Sequence, residues 1–415
     1  MGAHDDLLRR FKPQLRYDSI EQYFADSPAQ WTDNPGNELR RADEPNARGA
    51  LIAAATPQQG VPRLELSFLG AGGYADGTEV REGDLIGDPA RDYREQYVRL
   101  RVARPDLSNV VHGHAVEAAG VVWLQYWFWY FYNDYNLALG AGLHEGDWEM
   151  IQLRMHGEEP DLAVYAQHRY AEKRPWPEVE KAPGNPETPV VYVARGSHAS
   201  YFEAGFHQTE AWYDLADGKR QAPEPRLEIV DGAHGWSAWP GIWGDTRPRR
   251  PGGVDQPSPP APCLHRQWSD PDALLATARE PARRDAPSAP DVTVSRDRGL
   301  LAIQLDLSRH PPPAPGVLTV TVNSGDEPGV PPRTYTLDVA QTESARLWTR
   351  VALDPAKSYD VYASTTGGDP PVPSASVLTE LGPAGARGPS LGLGERITRV
   401  LGRVVAWLRG QLGRG

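Results

Sequence analysis

The chain has 415 residues, enough for two or three domains that each bury a core of their own. Its formal net charge of −12 argues against a nucleic-acid-binding protein, because phosphate contacts require a concentrated basic face. Cys263 is the single cysteine, which excludes an intramolecular disulfide and any zinc site built on cysteine ligands.

The composition favours strands and turns over helical bundles. There are 13 Trp and 17 Tyr but 7 Phe and 3 Met, together with 41 Gly and 40 Pro. Aromatic residues favour strands, while Gly and Pro favour the turns between them. We therefore predict a mainly β fold: an aromatic-rich β-sandwich, a smaller β-sandwich and a C-terminal amphipathic helix.

The opening residues, MGAHDDLLRRF, contain no apolar segment of signal-peptide length. The longest apolar run, residues 121–132, is interrupted by Gln125 and is too short to span a bilayer. We expect a soluble cytoplasmic protein, with peripheral membrane association as the alternative.

Residues 11–275 are predicted to form the first, aromatic-rich β-sandwich. Residues 121–132 are apolar at nearly every position, which predicts a central strand covered on both faces. The strand candidates are residues 63–69, 95–103, 121–132, 147–155, 162–168, 190–194 and 226–230. Short helices are predicted at residues 19–24 and 271–279.

Residues 276–290 are predicted to be a linker, because Pro, Ala and Arg dominate them. Residues 291–381 resemble a fibronectin type III or immunoglobulin-like sandwich. Short strand candidates alternate there with turns, and KSYDVYAS at residues 357–364 resembles a strand carrying a tyrosine corner. Such a domain binds or orients a partner and contributes no chemistry.

The end of the chain is predicted to be a basic amphipathic helix at residues 395–412, after a Gly/Pro-rich spacer at residues 382–394. Four arginines lie off its apolar face. That face consists of Ile397, Val400, Leu401, Val404, Leu408 and Leu412. The helix either docks on an acidic patch of a protein or anchors the chain to an anionic membrane surface.

The segment that carries chemistry is LQYWFWYFYNDYNLALGAGLHEGDWE, residues 124–149. Asp147 and Glu149 alternate with bulky residues, so in an extended chain both carboxylates point to one face. Neighbouring carboxylates repel, and a divalent cation bound by oxygen ligands and the imidazole of His144 would relieve that repulsion. The pattern predicts a Ca²⁺ or Mg²⁺ site. The alternative is a solvated acidic strand with a histidine as hydrogen-bonding partner.

Two further histidines lie at predicted strand ends, where pockets form: His168 in YAQH and His198 in PVVYVARGSHASYF. Both are candidates for proton transfer. Ser197 and His198 are neighbours in sequence and cannot form a nucleophile–base pair, and no G-x-S-x-G elbow is present, which argues against an α/β-type serine hydrolase. A buried structural role for His198 is the alternative.

These segments resemble the vacuolar protein sorting-associated protein 62 family over most of residues 11–275. The matching stretches are LQYWFWYFYND, HEGDWE, YAQH, PVVYVARGSHASYF, WPGIWGD at residues 239–245 and SPPAP at residues 258–262. The family name implies a trafficking link and little chemistry.

HEGDWE also looks like the heptapeptide G-H-R-H-D-W-E of necrosis-inducing cytolysins, in the same context of an aromatic strand followed by an Asp. In that family the fold is a β-sandwich, and a divalent cation at the heptapeptide assists binding to glycosphingolipid heads. Carried over by position, the resemblance implies Asp134, His144, Asp147 and Glu149 as cation ligands.

This sequence departs from that family at several positions. The differences leave the implied cation ligands in place but argue against a toxic function. Glu145 replaces the Arg, Gly146 replaces the second His, and the export signal and disulfide expected of a secreted toxin are not seen. We predict a divalent-cation-dependent binding module for a membrane or glycan headgroup. The alternatives are a metal-assisted hydrolase, in which His168 or His198 moves a proton, and a purely structural cation in an interaction protein.

Overall fold

The computed structural model describes residues 2, 4–41, 49–70, 72–74, 77–90, 92–135, 143–208, 213–231, 235–244 and 258–279, and the strands between residues 291 and 381. The chain forms two compact units, one of residues 1–203 and 218–280, the other of residues 204–217 and 281–415. The protein is mainly β, as predicted. Most of the predicted linker, the spacer at residues 382–394 and the predicted helix at residues 395–412 lie outside the described residues.

The first unit contains fifteen of the described strands and four short α-helices. The strands are β1 (Gln14–Tyr17), β2 (Glu38–Arg40), β3 (Leu51–Ala54), β4 (Leu85–Gly87), β5 (Val110–Ala118), β6 (Val121–Asp134), β7 (Leu143–His156), β8 (Glu159–Gln167), β9 (Tyr170–Pro175), β10 (Lys181–Ala182), β11 (Asn185–Val193), β12 (Ser200–Tyr201), β15 (Arg220–Gln221), β16 (Arg226–Ile229) and β17 (Ala278–Arg279). The helices are α1 (Asp5–Arg10), α2 (Ala29–Asp33), α3 (Tyr93–Ala103) and α4 (Asp272–Leu275).

A seven-stranded sheet in the order β16-β5-β6-β7-β8-β9-β17 is the centre of the first unit. Its inner strands are antiparallel, while the two short edge strands β16 and β17 pair parallel to their neighbours. A second sheet, β10-β11-β1-β15, also carries β12, and a third has the order β3-β2-β4.

Two hydrophobic cores involve the seven-stranded sheet, because β6 and β7 carry large side chains on both faces. The inter-sheet core joins it to β1 and β11; it includes Leu15, Tyr17, Leu124, Tyr126, Phe128, Tyr130, Val191 and Val193. The tryptophan core joins it to α3 and the third sheet; it includes Trp31, Leu39, Ile86, Tyr93, Tyr97, Trp129, Tyr132, Trp148, Trp239 and Trp243. The aromatic strand is thus buried inside the first unit, as its nearly continuous apolar run predicts.

The prediction of a strand at residues 95–103 is wrong, because this segment lies in helix α3. Tyr93, Tyr97 and Leu100 are buried on one side, a spacing of one helical turn, while Val98 and Val102 are exposed. The helical period of the buried residues outweighs the strand propensity of the valines.

Two other local predictions are also wrong. Residues 63–69 contain the 3₁₀ helix Leu66–Phe68 in place of a strand. Residues 19–24 form a turn followed by irregular backbone in place of a helix. In that segment the carboxylate of Glu21 accepts the backbone N–H groups of Gln22 and Tyr23, a local alternative to helical hydrogen bonding.

The second unit contains the hairpin of β13 (Gly205–Gln208) and β14 (Tyr213–Ala216) and two antiparallel sheets. The sheet strands are β18 (Asp291–Asp297), β19 (Leu300–Asp306), β20 (Gly316–Ser324), β21 (Arg333–Val339), β22 (Ser344–Ala352), β23 (Tyr359–Gly367), β24 (Val372–Pro373) and β25 (Val377–Leu381). One sheet has the order β18-β19-β22; in the other, β21-β20-β23-β24, strand β25 also pairs with β23. Strands are found between residues 291 and 381, where the sequence predicts them, and β23 overlaps the KSYDVYAS segment. The fibronectin type III or immunoglobulin-like assignment stays a prediction.

Among the helices that the structure describes, none is both long and apolar enough to cross a lipid bilayer.

Candidate functional site

An interruption of the β6–β7 pairing at Gly146, without any shift of register, sets the geometry of the acidic cluster. The register pairs Tyr130 with Asp147 and Tyr132 with Glu145, but leaves out the intervening Phe131 and Gly146. Gly146 has a φ of +60°, a left-handed conformation that interrupts the alternation of side chains along β7. As a result, Glu145 contacts the tryptophan core and Asp147 contacts the inter-sheet core.

Asp147 is buried, with 2% of its surface exposed, and its Oδ2 atom accepts two hydrogen bonds. One comes from Asn133 Nδ2 at 3.2 Å and the other from His198 Nδ1 at 2.8 Å. Asn133 comes from β6, while His198 comes from the turn after β11. The carboxylate therefore ties the β6–β7 pair to a segment fifty residues away in the chain.

His198 is fully buried, and its ring stacks on Tyr130 with 3.9 Å between the ring centroids and an interplanar angle of 5°. Its backbone is left-handed, with a φ of +58°, a conformation that non-glycine residues adopt rarely. Its Nε2 atom lies 3.7 Å from Glu21 Oε1, an ionic contact too long for a good hydrogen bond. Both ring nitrogens thus face carboxylates.

The charge state of this array follows from its contacts. Burial alone lowers the pKa of His198, but the hydrogen bond to Asp147 and the negative charge of Glu21 outweigh it and raise the pKa to about 9. Burial alone would raise the pKa of Glu21; the neighbouring His198 and the backbone N–H groups of Tyr23 and Gly196 lower it below the usual value. At neutral pH the array is an imidazolium between two carboxylates.

His144 lies beside Asp147, on the other side of the left-handed Gly146. Its Nδ1 atom is 2.8 Å from the carbonyl oxygen of Gly146, and since a carbonyl only accepts, Nδ1 carries the proton. The Nε2 atom is the ring nitrogen left for another partner, and it lies 3.8 Å from Asp147 Oδ1. An imidazole oriented by a backbone carbonyl is the usual arrangement of a metal-ligating histidine.

Asp134 ends β6 and approaches the array from the Glu21 side. Burial and the charge of Glu21 raise its pKa to about 6, against the opposing effects of His198 and Arg195. The turn before His198 packs tightly on its backbone, since a Cβ on Gly196 would come within 2.6 Å of the Asp134 carbonyl oxygen.

Glu149 is half-buried on β7 and is paired in register with Phe128, as Asp147 is with Tyr130. Phe128 and Tyr130 both belong to the inter-sheet core, so the two carboxylates share a face, as their spacing predicts. The charges of both raise the pKa of Tyr130 in addition to the larger effect of its burial.

The structure therefore brings together His144 and Asp147 directly, sets Asp134 beside Glu21 and His198, and puts Glu149 two residues further along β7. Within the part of the chain that the structure describes, no three His, Cys, Asp or Glu side chains form a group that could hold a metal ion. The cation site of Asp134, His144, Asp147 and Glu149 stays a prediction.

The two candidate catalytic histidines occupy different environments. His198 is buried between carboxylates, whereas His168 is exposed in the turn between β8 and β9, with a φ of +56°. The His168 ring lies 5.6 Å from that of Tyr135, the residue after Asp134. His168 is thus at the rim of this region, and His198 is inside it.

Sequence reasoning missed three members of the array: Glu21, Asn133 and Tyr130. Glu21 lies in a segment with no recognisable pattern, and its contact with Gly196 spans 175 positions. Asn133 could have been predicted from the sequence. It is an amide next to Asp134 at the end of a buried strand, and a buried amide needs a hydrogen-bonding partner.

No family model matches the sequence, and no curated protein matches it. Solved structures of necrosis-inducing cytolysins are among its structural neighbours. The structure described as "NLPPya in complex with glucosamine" is 12% identical, with 67% of this chain and 91% of that chain covered and a TM-score of 0.30. Necrosis and Ethylene inducing Protein 2 from the causal agent of cocoa's Witches Broom disease is 12% identical, with 58% and 78% covered and a TM-score of 0.27. The non-toxic HaNLP3 protein is 11% identical, with 55% and 75% covered and a TM-score of 0.26.

Proposed function

We propose that the first unit is a divalent-cation-dependent binding module for the headgroup of a membrane lipid or glycan. The cation, Ca²⁺ or Mg²⁺, is held by Asp134, His144, Asp147 and Glu149. The observation that carries the proposal is the pair formed by Nε2 of His144 and Oδ1 of Asp147, 3.8 Å apart, with Nδ1 of His144 held by the carbonyl oxygen of Gly146.

The separation of this pair fits two ligands of one ion. Ligand atoms at about 2.4 Å from a Ca²⁺ ion are about 3.4 Å apart when they subtend a right angle, and farther apart at wider angles. The Oδ2 atom of Asp147 is meanwhile held by Asn133 and His198, which fixes the carboxylate plane and leaves Oδ1 to the ion. In known metal sites, hydrogen bonds of this kind from surrounding residues orient the side chains that bind the ion.

The charge balance also supports a cation. His198 compensates one of the two charges of Glu21 and Asp147, so the array remains negative, and Asp134 and Glu149 add to it. A divalent ion lowers the energy of such a group far more than a single imidazolium does. Ca²⁺ takes about six to eight oxygen ligands, so the four predicted protein ligands leave positions for hydroxyl or anionic oxygens of a headgroup.

The alternative of a metal-assisted hydrolase is less favoured by the geometry. A proton shuttle must reach both the reacting water and bulk solvent, and the buried ring of His198 has both nitrogens directed at carboxylates. His168 is exposed at the rim, where its ring lies beside that of Tyr135, whereas His144 and Asp147 are buried. A purely structural cation is distinguished by the experiment below.

The proposal also covers the family, the cellular location and the biological role of the protein. Membership of the vacuolar protein sorting-associated protein 62 family, a cytoplasmic location and a role in membrane association or trafficking follow from the resemblance of HEGDWE and its neighbouring segments. Contact of residues 395–412 with an anionic membrane would add avidity to headgroup binding.

The test is calcium-dependent flotation of the full chain with phosphatidylcholine vesicles that contain glucosylceramide, in CaCl₂ and in EDTA. We expect binding in CaCl₂ that is lost in EDTA and reduced at least about tenfold by Asp147→Ala, because each ligand to a bound ion contributes more than about 1.4 kcal/mol. Asp161→Ala is the matched control: this exposed carboxylate on β8 pairs with Arg154, away from the array.

Calorimetric titration with CaCl₂ accompanies the vesicle assay. Vesicle binding that EDTA leaves unchanged would overturn the proposal. Calcium binding and thermal stabilisation without any vesicle binding would assign the ion a structural role and also overturn it. Circular dichroism of Asp147→Ala separates loss of the site from loss of folding.

A further inference from the structure

We propose that Arg101 and Arg220, which share the ring of Phe24, form an anion-binding cradle for a phosphate or sulfate group. This cradle is separate from the cation site and needs no metal. It lies in the first unit, where the end of α3, strand β15 and the irregular segment around residue 24 come together.

Two guanidinium groups converge on one ring. The Cζ atom of Arg101 is 4.9 Å from the ring centroid of Phe24, and the Cζ atom of Arg220 is 4.4 Å from the same point. The two cations are therefore no farther apart than the sum of these distances. Bringing like charges together costs free energy, which an anion between or beside them would offset.

The position of the Phe24 ring is fixed by its contacts with Tyr17 and Tyr97. It is half-buried, packs edge-to-face on Tyr17 with 5.0 Å between ring centroids, and its backbone N–H donates to the hydroxyl of Tyr97 at 2.8 Å. Because the ring is fixed, both guanidinium groups are already positioned before any ligand binds. Preorganised donors lose less entropy on binding.

Two arginines of this patch, Arg220 and Arg94, are not neutralised by a carboxylate of the described residues. Arg220 donates to the carbonyl oxygen of Glu21 at 3.2 Å. Arg94, in α3, donates to the carbonyl oxygen of the next residue, Gln22, at 2.7 Å. Carbonyls are neutral acceptors, and neither arginine has a carboxylate partner among the described residues. Arg101 has the buried carboxylate of Asp26 at 3.6 Å.

Arginines elsewhere in this acidic chain are mostly paired with carboxylates. Arg10 contacts Glu159 and Glu187, and Arg99 contacts Glu95. Arg220 is thus an exception, and a guanidinium presents five donors in a fork that matches the oxygens of phosphate or sulfate. Its contacts with one carbonyl and one aromatic ring leave most of those donors available. Arg101 adds its positive charge but also contacts Asp26 and the hydroxyl of Tyr97.

The position of the cradle relates it to the proposed headgroup site. Arg220 donates to the backbone of Glu21, whose side chain faces His198 in the array. A ligand with hydroxyl groups and one anionic group would place the anion on the cradle and the hydroxyls towards Asp147. The anion site itself rests on the arginines alone, so it stands if the cation site fails.

Calorimetric titration of the full chain with sodium sulfate and with sodium phosphate, both in EDTA, tests the cradle. We expect saturable binding that Arg220→Gln weakens at least about tenfold, because loss of a charge-assisted fork costs more than about 1.4 kcal/mol. Arg220→Lys keeps the charge without the fork and should bind with intermediate affinity. Arg99→Gln is the matched control, since it changes the net charge equally on the exposed surface of α3.

A second arm identifies the source of the anion. Flotation with phosphatidylcholine vesicles, with and without phosphatidylserine, is run in EDTA with the same variants. Binding of vesicles that depends on both phosphatidylserine and Arg220 identifies a lipid headgroup, and binding of the free anions alone identifies a soluble ligand. The inference is overturned if wild type binds neither anion nor anionic vesicle, or if Arg99→Gln and Arg220→Gln weaken binding equally.

Discussion

Glu145 and Asp147 are buried carboxylates two positions apart on one strand, yet they belong to different environments. Glu145 accepts hydrogen bonds from the hydroxyl of Tyr93 and from the backbone N–H of Asp88. Asp147 accepts from an amide and from the imidazolium of His198. One carboxylate is bonded by neutral donors beside an aromatic core, and the other belongs to an ionic array.

The difference is caused by Gly146, which lies between them. A regular strand would send both carboxylates to one face, and the left-handed residue sends them to two. The motif HEGDWE is therefore divided in space: Glu145 contributes to packing, while His144 and Asp147 contribute to the candidate site. This also explains physically why Glu145 does not belong to the predicted ligand set.

The largest expected effect is on folding, from Gly146→Ala. A Cβ at this position would come within 2.4 Å of the Trp129 ring and 2.6 Å of the Trp243 carbonyl oxygen, in a backbone conformation that already disfavours alanine. We expect a loss of about 5 kcal/mol in the free energy of unfolding, or no folded protein. Urea unfolding followed by tryptophan fluorescence measures it.

Gly157→Ala is the matched control for Gly146→Ala. Gly157 has a similar φ of +65°, but a Cβ there would meet nothing within 4 Å. It should cost about 1 kcal/mol from backbone strain alone. Equal costs for the two variants would show that Gly146 does not divide the motif as described.

A smaller effect separates the two carboxylates themselves. Asp147→Asn removes a negative charge from a buried imidazolium, and we expect it to cost about 3 kcal/mol. Glu145→Gln keeps an oxygen that accepts from Tyr93 and should cost about 1 kcal/mol. The measurement is again urea unfolding at neutral pH. If Glu145→Gln is the more damaging substitution, the ionic character assigned to the Asp147 side is wrong.

An effect of similar size is expected in the pH dependence of stability. The pKa of His198 is raised from 6.5 to about 9 on folding, so its contribution is complete below about pH 6.5 and is lost as the pH rises through about 9. Relative to His198→Gln, wild type should lose about 3 kcal/mol of stability across that interval.

His114→Gln is the control for this pH profile. Burial lowers the pKa of His114, which moves its titration below the interval in which His198 loses its proton. Its profile between neutral and alkaline pH should therefore run parallel to that of wild type. A wild-type profile parallel to that of His198→Gln would contradict the buried imidazolium.

Several features were predictable from the sequence because they depend on near neighbours. The run from residue 121 to 132 is buried on both faces as predicted, and the strands between residues 291 and 381 follow the alternation and turn pattern. Asp147 and Glu149 share a face because strand periodicity holds between them. The prediction failed at residues 95–103, where β-branched residues lie on the exposed side of a helix.

By itself the sequence determined the β character of the chain, the buried aromatic strand and the nearness of His144 to Asp147, since these follow from composition and from residues a few positions apart. Only the tertiary structure decided that His198 is the cation between Glu21 and Asp147, and that Arg101 and Arg220 meet at Phe24. Those contacts join segments from about fifty to almost two hundred positions apart, and they exist because the sheets pack around two cores. Local periodicity carries no information about which distant turn will close over a buried carboxylate.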